Sequence, residues 1–113
     1  MSAVLSWESV CNLDDLVPGA GVAICLDCVA YAVFYLPEHP QQVFVVGHKD
    51  PFSGAEVLGW GLVCEDQGRY SVASPLYKQH FDLLDGTCLE DPSISIEVLK
   101  ARIENGAVLV ERT

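Results

Sequence analysis

The chain has 113 residues, half of them hydrophobic, and its 16 acidic and six basic residues give it a formal net charge of −10. This length fits a single domain, residues 1–113, and the shortage of lysine and arginine argues against nucleic acid as a partner, because a phosphate backbone is bound by clustered basic side chains. No apolar run approaches the roughly 20 residues that cross a membrane as a helix. The first residues also lack the pattern of a secretory signal. We therefore expect a cytoplasmic protein with no membrane partner.

Five cysteines, an odd number, are scattered through apolar segments instead of being spaced as a disulfide framework. In a reducing cytoplasm they are expected to be free thiols. Free cysteine commonly acts as a small buried hydrophobic residue, which is the prediction for most of this set: Cys11, Cys25, Cys28, Cys64 and Cys88.

The first half of the chain predicts short strands separated by turns. A Pro-Gly loop at 18–19 follows the first strand. Asp27-Cys28 lies between two β-rich runs and predicts a hairpin with a two-residue connection, although Asp-Cys is a poor pair for such a turn, so the register stays open. The predicted strands of this half are 6–10, 21–26, 29–36 and 42–46.

The second half continues the pattern after a short ambiguous segment at 57–60. A three-residue turn, 66–68, joins strands 61–65 and 69–73, and Asp85-Gly86 predicts a hairpin between 80–83 and 87–89. The run 94–103 shifts its apolar phase by one residue, which predicts a bulge. Asn105-Gly106 is the strongest hairpin signal in the chain and leads into a last strand at 107–110.

The fold class follows from these elements. No segment shows a sustained apolar period of 3.6 residues with a cap, so helix content is predicted to be low. Many short strands at near-regular spacing predict an all-β antiparallel sandwich or partial barrel. Two Pro-containing loops, 50–55 and 74–81, each follow a strand-like run and are predicted to form a smaller loop subdomain.

These two loops resemble those of a Rieske iron–sulfur protein, in which two cysteines hold one iron and two histidines the other. In this pattern the first loop carries Cys-x-His and the second Cys-x-x-His. The ligand-equivalent positions of this chain are Asp50, Phe52, Ser74 and Tyr77. None of the four is a thiolate or an imidazole, so we expect a Rieske-like fold with no metal ligands, no cofactor and no catalytic residue in this chain.

Four segments in order carry a more specific resemblance: 19–23, 50–55, 73–83 and 86–92. They resemble the small subunit of the assimilatory NAD(P)H-dependent nitrite reductase, along nearly the whole chain. The resemblance implies a Rieske-type fold without cluster ligands. It also implies a large-subunit partner that carries flavin, an iron–sulfur cluster and sirohaem and reduces nitrite to ammonia. The chain is then expected to bind and organise that subunit.

The loops themselves suggest a contact surface. Phe52 and Tyr77 are expected to fill the space that a cluster would leave, because an empty pocket costs packing. Lys49 and Lys78 fall at matching loop edges, each near a histidine, His48 or His80. If the loops pack together, these residues form a small basic tip suited to docking. The alternative is that the lysines only offset nearby carboxylates and keep the loops soluble.

Two other functions stay open. Cys25-x-x-Cys28 allows a metal-binding or thiol-redox module, although a structural zinc needs four ligands, which Cys64, Cys88 and His80 would have to complete. Neither a helix start nor a βαβ pattern supports a thioredoxin-like role. A free-standing protein-interaction domain is the other alternative. His39, between prolines, is predicted to be an exposed loop residue.

Overall fold

A computed structural model of the chain describes residues 6–112. This part of the chain forms ten β-strands and two short 3₁₀ helices, Leu13–Asp15 and Leu58–Trp60. The ambiguous segment 57–60 is therefore a 3₁₀ turn. The strands are β1 (Ser6–Asn12), β2 (Gly21–Leu26), β3 (Val29–Tyr35), β4 (Val43–Gly47), β5 (Leu62–Asp66), β6 (Arg69–Ala73), β7 (His80–Asp82), β8 (Val98–Leu99), β9 (Ala101–Glu104) and β10 (Ala107–Arg112).

The strands form three antiparallel sheets, in the orders β1-β10-β9, β2-β3-β4-β8 and β5-β6-β7. The prediction of an all-β fold with little helix is confirmed. Among residues 6–112, the structure contains no helix with the length and hydropathy that a membrane crossing needs.

The middle of the four-stranded sheet is buried on both faces. Phe34 and Phe44 belong to one apolar core with Val72 and Phe81 of the β5-β6-β7 sheet. Their neighbours on the opposite face pack with Val108 and Val110 of β10 in a second core. All four residues from Val43 to Val46 are fully buried, which explains why β4 is a continuous apolar run without polar alternation.

Three hairpins use two-residue turns in which both central residues have positive φ, as in a type I′ turn. These turns are Asp27-Cys28, Gln67-Gly68 and Asn105-Gly106. The pairing of Leu26 with Val29 settles the register of the first hairpin. The β5–β6 turn has two residues instead of the predicted three, because Asp66 still pairs with Arg69.

The predicted bulge in the run 94–103 is wrong, because this run contains two strands that belong to different sheets. Val98 and Leu99 pair with β4, whereas Ala101 pairs with Val110 of β10. The apolar phase shifts between Val98 and Leu99, just before Lys100, where the chain leaves one sheet for another.

The predicted hairpin around 84–86 is reduced to a turn with isolated bridges. Phe81 bridges to Cys88, and the second segment forms no named strand. The Asp82 side chain organises the turn, because its Oδ1 accepts hydrogen bonds from the N–H groups of Leu84 at 2.7 Å and Asp85 at 3.3 Å.

Gly86 in this turn offers a test of the packing. Its φ is +80°, and a Cβ there would lie 2.1 Å from the carbonyl oxygen of Ile96. Gly19 has the same φ with no atom within 4 Å. Gly19→Ala is expected to lower the free energy of unfolding by about 1 kcal/mol, the cost of a left-handed alanine. Gly86→Ala is expected to cost about 2 kcal/mol more, because the carbonyl must move. Urea denaturation measures both, and equal losses would contradict the close approach.

Candidate functional site

A side-chain hydrogen bond joins the two Pro-containing loops. The Ser74 hydroxyl donates to Asp50 Oδ2 at 2.5 Å, and Asp50 Oδ1 accepts the N–H of Phe52 at 2.8 Å. Asp50 is fully buried and Ser74 is almost so. A buried carboxylate is costly unless hydrogen bonds satisfy it, so the Asp50–Ser74 pair fixes each loop against the other.

The first loop is closed by three hydrogen bonds at Asp50. Its N–H donates to the oxygen of Ala55 at 2.8 Å, its oxygen accepts the N–H of Gly54 at 2.7 Å, and its side chain accepts the N–H of Phe52. Gly54 takes the left-handed conformation, with φ +77°.

The second loop repeats this pattern at Ser74. The Ser74 N–H donates to the oxygen of Gln79 at 2.9 Å, and its oxygen accepts the N–H of Lys78 at 3.0 Å. The hydroxyl accepts the N–H of Leu76 at 3.3 Å. Lys78 takes the left-handed conformation, with φ +63°. Leu76 and Lys78 thus correspond to Phe52 and Gly54 of the first loop.

The residues at the four ligand-equivalent positions do not fit a Rieske cluster. Such a cluster needs two thiolates and two imidazoles, whereas Asp50 and Ser74 already bond to each other and Phe52 has no donor atom. Carboxylate and hydroxyl oxygens suit hard cations better than iron–sulfide clusters. Within residues 6–112, no three His, Cys, Asp or Glu side chains are grouped so that they could hold a metal ion.

The prediction that two aromatic rings fill the cluster space is wrong for Tyr77, which is 61% exposed. Phe52 is 39% exposed, and its ring leans on Phe81 with the centroids 6.2 Å apart. The Asp50–Ser74 pair occupies the space between the loops instead. Both rings are therefore available at the surface.

The prediction that His48 belongs to an exposed basic tip is wrong, because its side chain is buried. Its Nδ1 accepts the N–H of Gly59 at 2.9 Å, and its ring meets Trp60 edge-on at 5.0 Å. Burial lowers the pKa of His48 below its ordinary value, and the Glu56 carboxylate opposes this in part. The neutral imidazole is a structural support under Trp60.

The other predicted tip residues lie at the surface. Lys49 and Lys78 are exposed, and the two carboxylates that they would offset, Asp50 and Asp82, bond to Ser74 and Arg69 instead. His80 is half-buried with Nδ1 2.7 Å from Glu90 Oε2. The N–H of His80 also donates to Glu90 and holds the pKa of that carboxyl below its usual range.

An exposed apolar surface beside the second loop was not predicted. Trp60 is 69% exposed and Leu62 is 75% exposed. They line a groove of about 360 Å³ with Pro75 and Lys78. The available signal was the Gly59-Trp60-Gly61 sequence, since a tryptophan between two glycines outside any periodic element has no obvious core to join.

The cysteines differ from the prediction that most are buried. Cys88 alone is fully buried, Cys11 and Cys64 are intermediate, and the Cys25 and Cys28 thiols are exposed at the β2–β3 turn. The type I′ turn places Cys28 outside the sheet. The prediction that His39 is an exposed loop residue is also wrong. Its side chain is half-buried between Phe44 and Tyr70, with ring centroids 4.9 and 5.5 Å away.

Comparison with known proteins places this geometry in a family. A family model described as a Rieske-like [2Fe-2S] domain matches residues 6–111. The nitrite reductase (NADH) small subunit of Salmonella typhimurium is 44% identical over 102 residues, which cover 90% of this chain and 94% of the relative. The chain belongs to the nitrite reductase small subunits. Its family is therefore that of a subunit of an oxidoreductase, as the resemblance implied.

Two further matches agree with this membership. The solution structure of the nitrite reductase [NAD(P)H] small subunit from Erwinia carotovora is 42% identical with a TM-score of 0.77, over 95% of this chain and 82% of that one. Part of the nitrite reductase [NAD(P)H] large subunit of Klebsiella oxytoca is 33% identical over 104 residues, which cover 92% of this chain and 11% of that protein.

The link between the loops of this small subunit is expected to contribute to stability. Ser74→Ala leaves Asp50 Oδ2 buried without its donor, so we expect the free energy of unfolding to fall by about 2–3 kcal/mol. Ser53→Ala is the matched control, because the Ser53 hydroxyl only accepts the N–H of Ala55 at 3.1 Å, and it is expected to cost less than about 1 kcal/mol. Denaturant titration of both variants checks this, and similar losses would contradict the special role of Ser74.

His48 predicts a pH dependence. Because its pKa is lowered in the folded state, its contribution to stability is complete above the unfolded value of about 6.5 and is lost as the pH falls through the folded value. His48→Asn keeps an acceptor for the Gly59 N–H and removes the titration. The stability of the wild type minus that of this variant is expected to decrease from pH 7 to pH 5. A difference that is flat with pH would contradict the burial of a neutral imidazole.

Proposed function

We propose that this chain is a non-catalytic subunit of a cytoplasmic NAD(P)H-dependent nitrite reductase in nitrate assimilation, and that it binds and organises the large subunit. The observation that carries the proposal is the end of the domain that the loops 50–55 and 74–81 form. Its two loops repeat the same backbone hydrogen bonds, two of its ligand-equivalent positions are used for an internal hydrogen bond, and its surface presents basic and aromatic side chains.

The first support is the chemistry of the ligand positions. Asp50 and Ser74 satisfy each other, so the loops hold their shape without a metal. In this proposal the reduction of nitrite to ammonia belongs to the large subunit, with the flavin, iron–sulfur cluster and sirohaem that the family resemblance implies. The small subunit contributes binding surface and orientation.

The second support is the surface that the loops present. Phe52 and Tyr77 expose aromatic rings, and Lys49 and Lys78 add two of the six basic side chains of a chain with a net charge of −10. His80 lies beside Lys78 at the same groove. Aromatic side chains are common anchors in interfaces, and a local positive charge on an acidic body orients association.

The third support is the backbone of Lys78. Its φ of +63° is a conformation that glycine takes in the matching loop, at Gly54. A left-handed lysine costs about 1 kcal/mol relative to glycine. A strained residue that carries a charge is a reason to propose a function for the side chain, here contact with the partner.

The fourth support concerns the partner. A domain similar to this chain forms part of the large subunit of Klebsiella oxytoca. In that protein the domain and the rest of the subunit share one polypeptide, so they are held together covalently. In this proposal a separate chain achieves the same association by non-covalent contact.

A second function is favoured by one observation, the exposure of both thiols in Cys25-x-x-Cys28. Exposed thiols are accessible to metals and oxidants. Elemental analysis of the purified chain discriminates between the two functions. Stoichiometric zinc that is lost in Cys25→Ser would favour a metal-binding module, whereas a metal-free chain that binds the large subunit supports the subunit role.

Reconstitution tests the proposed function directly. We expect the purified chain to bind the large subunit and to raise its rate of nitrite reduction with NADH or NADPH, and we expect the chain alone to show no rate. Full activity of the large subunit without the chain, together with no detectable binding, would overturn the proposal and leave a free-standing interaction domain.

Lys78→Glu tests the contact surface. Reversal of this charge is expected to weaken binding to the large subunit by roughly fivefold or more, as loss of about 1 kcal/mol implies. Lys100→Glu makes the same charge change in a different groove, beside Trp7 and Leu84, and is expected to have little effect. Isothermal titration calorimetry measures both, and equal effects would remove the argument that the loops dock.

A further inference from the structure

We propose that an extended segment of the large subunit binds along β5, adds a fourth strand to the β5-β6-β7 sheet, and inserts an apolar side chain between Trp60, Leu62 and Pro75. This inference rests on the proposed function, because the large subunit supplies the segment. It goes further in naming the groove, the strand edge and the chemistry of the segment that fits them.

The exposure of the two apolar side chains is built into the backbone. Gly61 is extended, with φ −75° and ψ 168°, and a Cβ there would lie 2.3 Å from the oxygen of Ala73 and 2.8 Å from Val72 Cγ2. Gly61 therefore faces inward, onto the end of β6. Side chains alternate along extended backbone, so Leu62, the first residue of β5, faces outward, and Trp60, the last residue of the 3₁₀ turn, is 69% exposed.

Trp60 is held in place from below. The buried His48 ring meets it at 5.0 Å and accepts the N–H of Gly59, and the oxygen of His48 accepts the N–H of Leu58 at 2.9 Å. These contacts fix the 3₁₀ turn that carries the tryptophan. A large apolar side chain that is both exposed and preorganised suits an interface, because little conformational freedom is lost on binding.

The strand edge next to this groove is open. β5 is a terminal strand of its three-stranded sheet. Asp66 and Arg69 close a two-residue turn and so form a hydrogen-bonded pair, and alternate pairs along the ladder share that character. Val63 and Glu65 therefore direct their N–H and C=O groups away from β6. Extended peptides add to edges of this kind, with backbone hydrogen bonds for affinity and side-chain pockets for specificity.

The charges along β5 define the segment. Lys78 stands at the groove, whereas Glu65 and Asp66 end the strand at the other side. A segment that matches has an apolar side chain at the groove and a basic side chain near Asp66. In this proposal the large subunit supplies such a segment, since a domain similar to this chain is joined to the rest of the large subunit in Klebsiella oxytoca. A second copy of this chain fits less well, since both copies would bring the same two carboxylates to the edge.

The test uses the purified large subunit and this full chain. Leu62→Lys, at a side chain that is 75% exposed, leaves the core untouched and is expected to weaken binding about tenfold. Leu84→Lys is the matched control, at a leucine that is 56% exposed and lies in the groove beside Trp7, and is expected to change binding by less than about twofold. Hydrogen exchange of the Val63 and Glu65 amides is expected to be fast in the free chain and slow in the complex.

The outcomes separate the two proposals. If the wild-type chain does not bind the large subunit, the proposed function fails and this inference fails with it. If the wild type binds while Leu62→Lys binds equally well and the β5 amides stay unprotected, the inference is overturned and the proposed function stands. Protection of β5 at high concentration of the chain alone would show a second copy at the edge and would also overturn the inference.

Discussion

The hydrogen bond between Asp50 and Ser74 is the interaction on which the functional end of this domain depends. In a Rieske protein the iron–sulfur cluster ties the two loops together through four ligands. Here a buried carboxylate and a buried hydroxyl join them at 2.5 Å. Because a buried carboxylate is costly without its donors, separating the loops would leave the Asp50 carboxylate without the Ser74 donor. The joined loops carry Phe52 and Lys78 at the surface of an otherwise acidic domain.

Much of the fold could be predicted because its turns have local chemistry. Asn105-Gly106 predicted the last hairpin, since both residues tolerate positive φ. Asp27-Cys28 takes the same turn although the pair is a weak signal, because pairing along β2 and β3 determines the register there. The phase shift between Val98 and Leu99 predicted a bulge, whereas the chain changes sheets at this point. A bulge and a change of sheet give the same apolar pattern, and pairing with distant strands distinguishes them.

The site was less predictable, because burial depends on contacts between distant segments. The sequence indicated which positions lack cluster ligands but not that Asp50 and Ser74 would bond across 24 residues. His48 next to Lys49 suggested a basic pair, whereas the histidine is buried by its contacts with Gly59 and Trp60 and the lysine is exposed. The exposure of Trp60 runs against its hydrophobicity, and the 3₁₀ turn that carries it depends on contacts with the buried His48 ring.

A double-mutant cycle at the two loop residues tests the central claim most directly. Asp50→Ala, Ser74→Ala and the combined variant are compared with the wild type by denaturant unfolding. If the pair links the loops, the two changes are strongly non-additive, with a coupling free energy of about 1.5 kcal/mol or more. Additive losses, with coupling within about 0.3 kcal/mol of zero, would mean that each loop is held by its own contacts and would contradict the account.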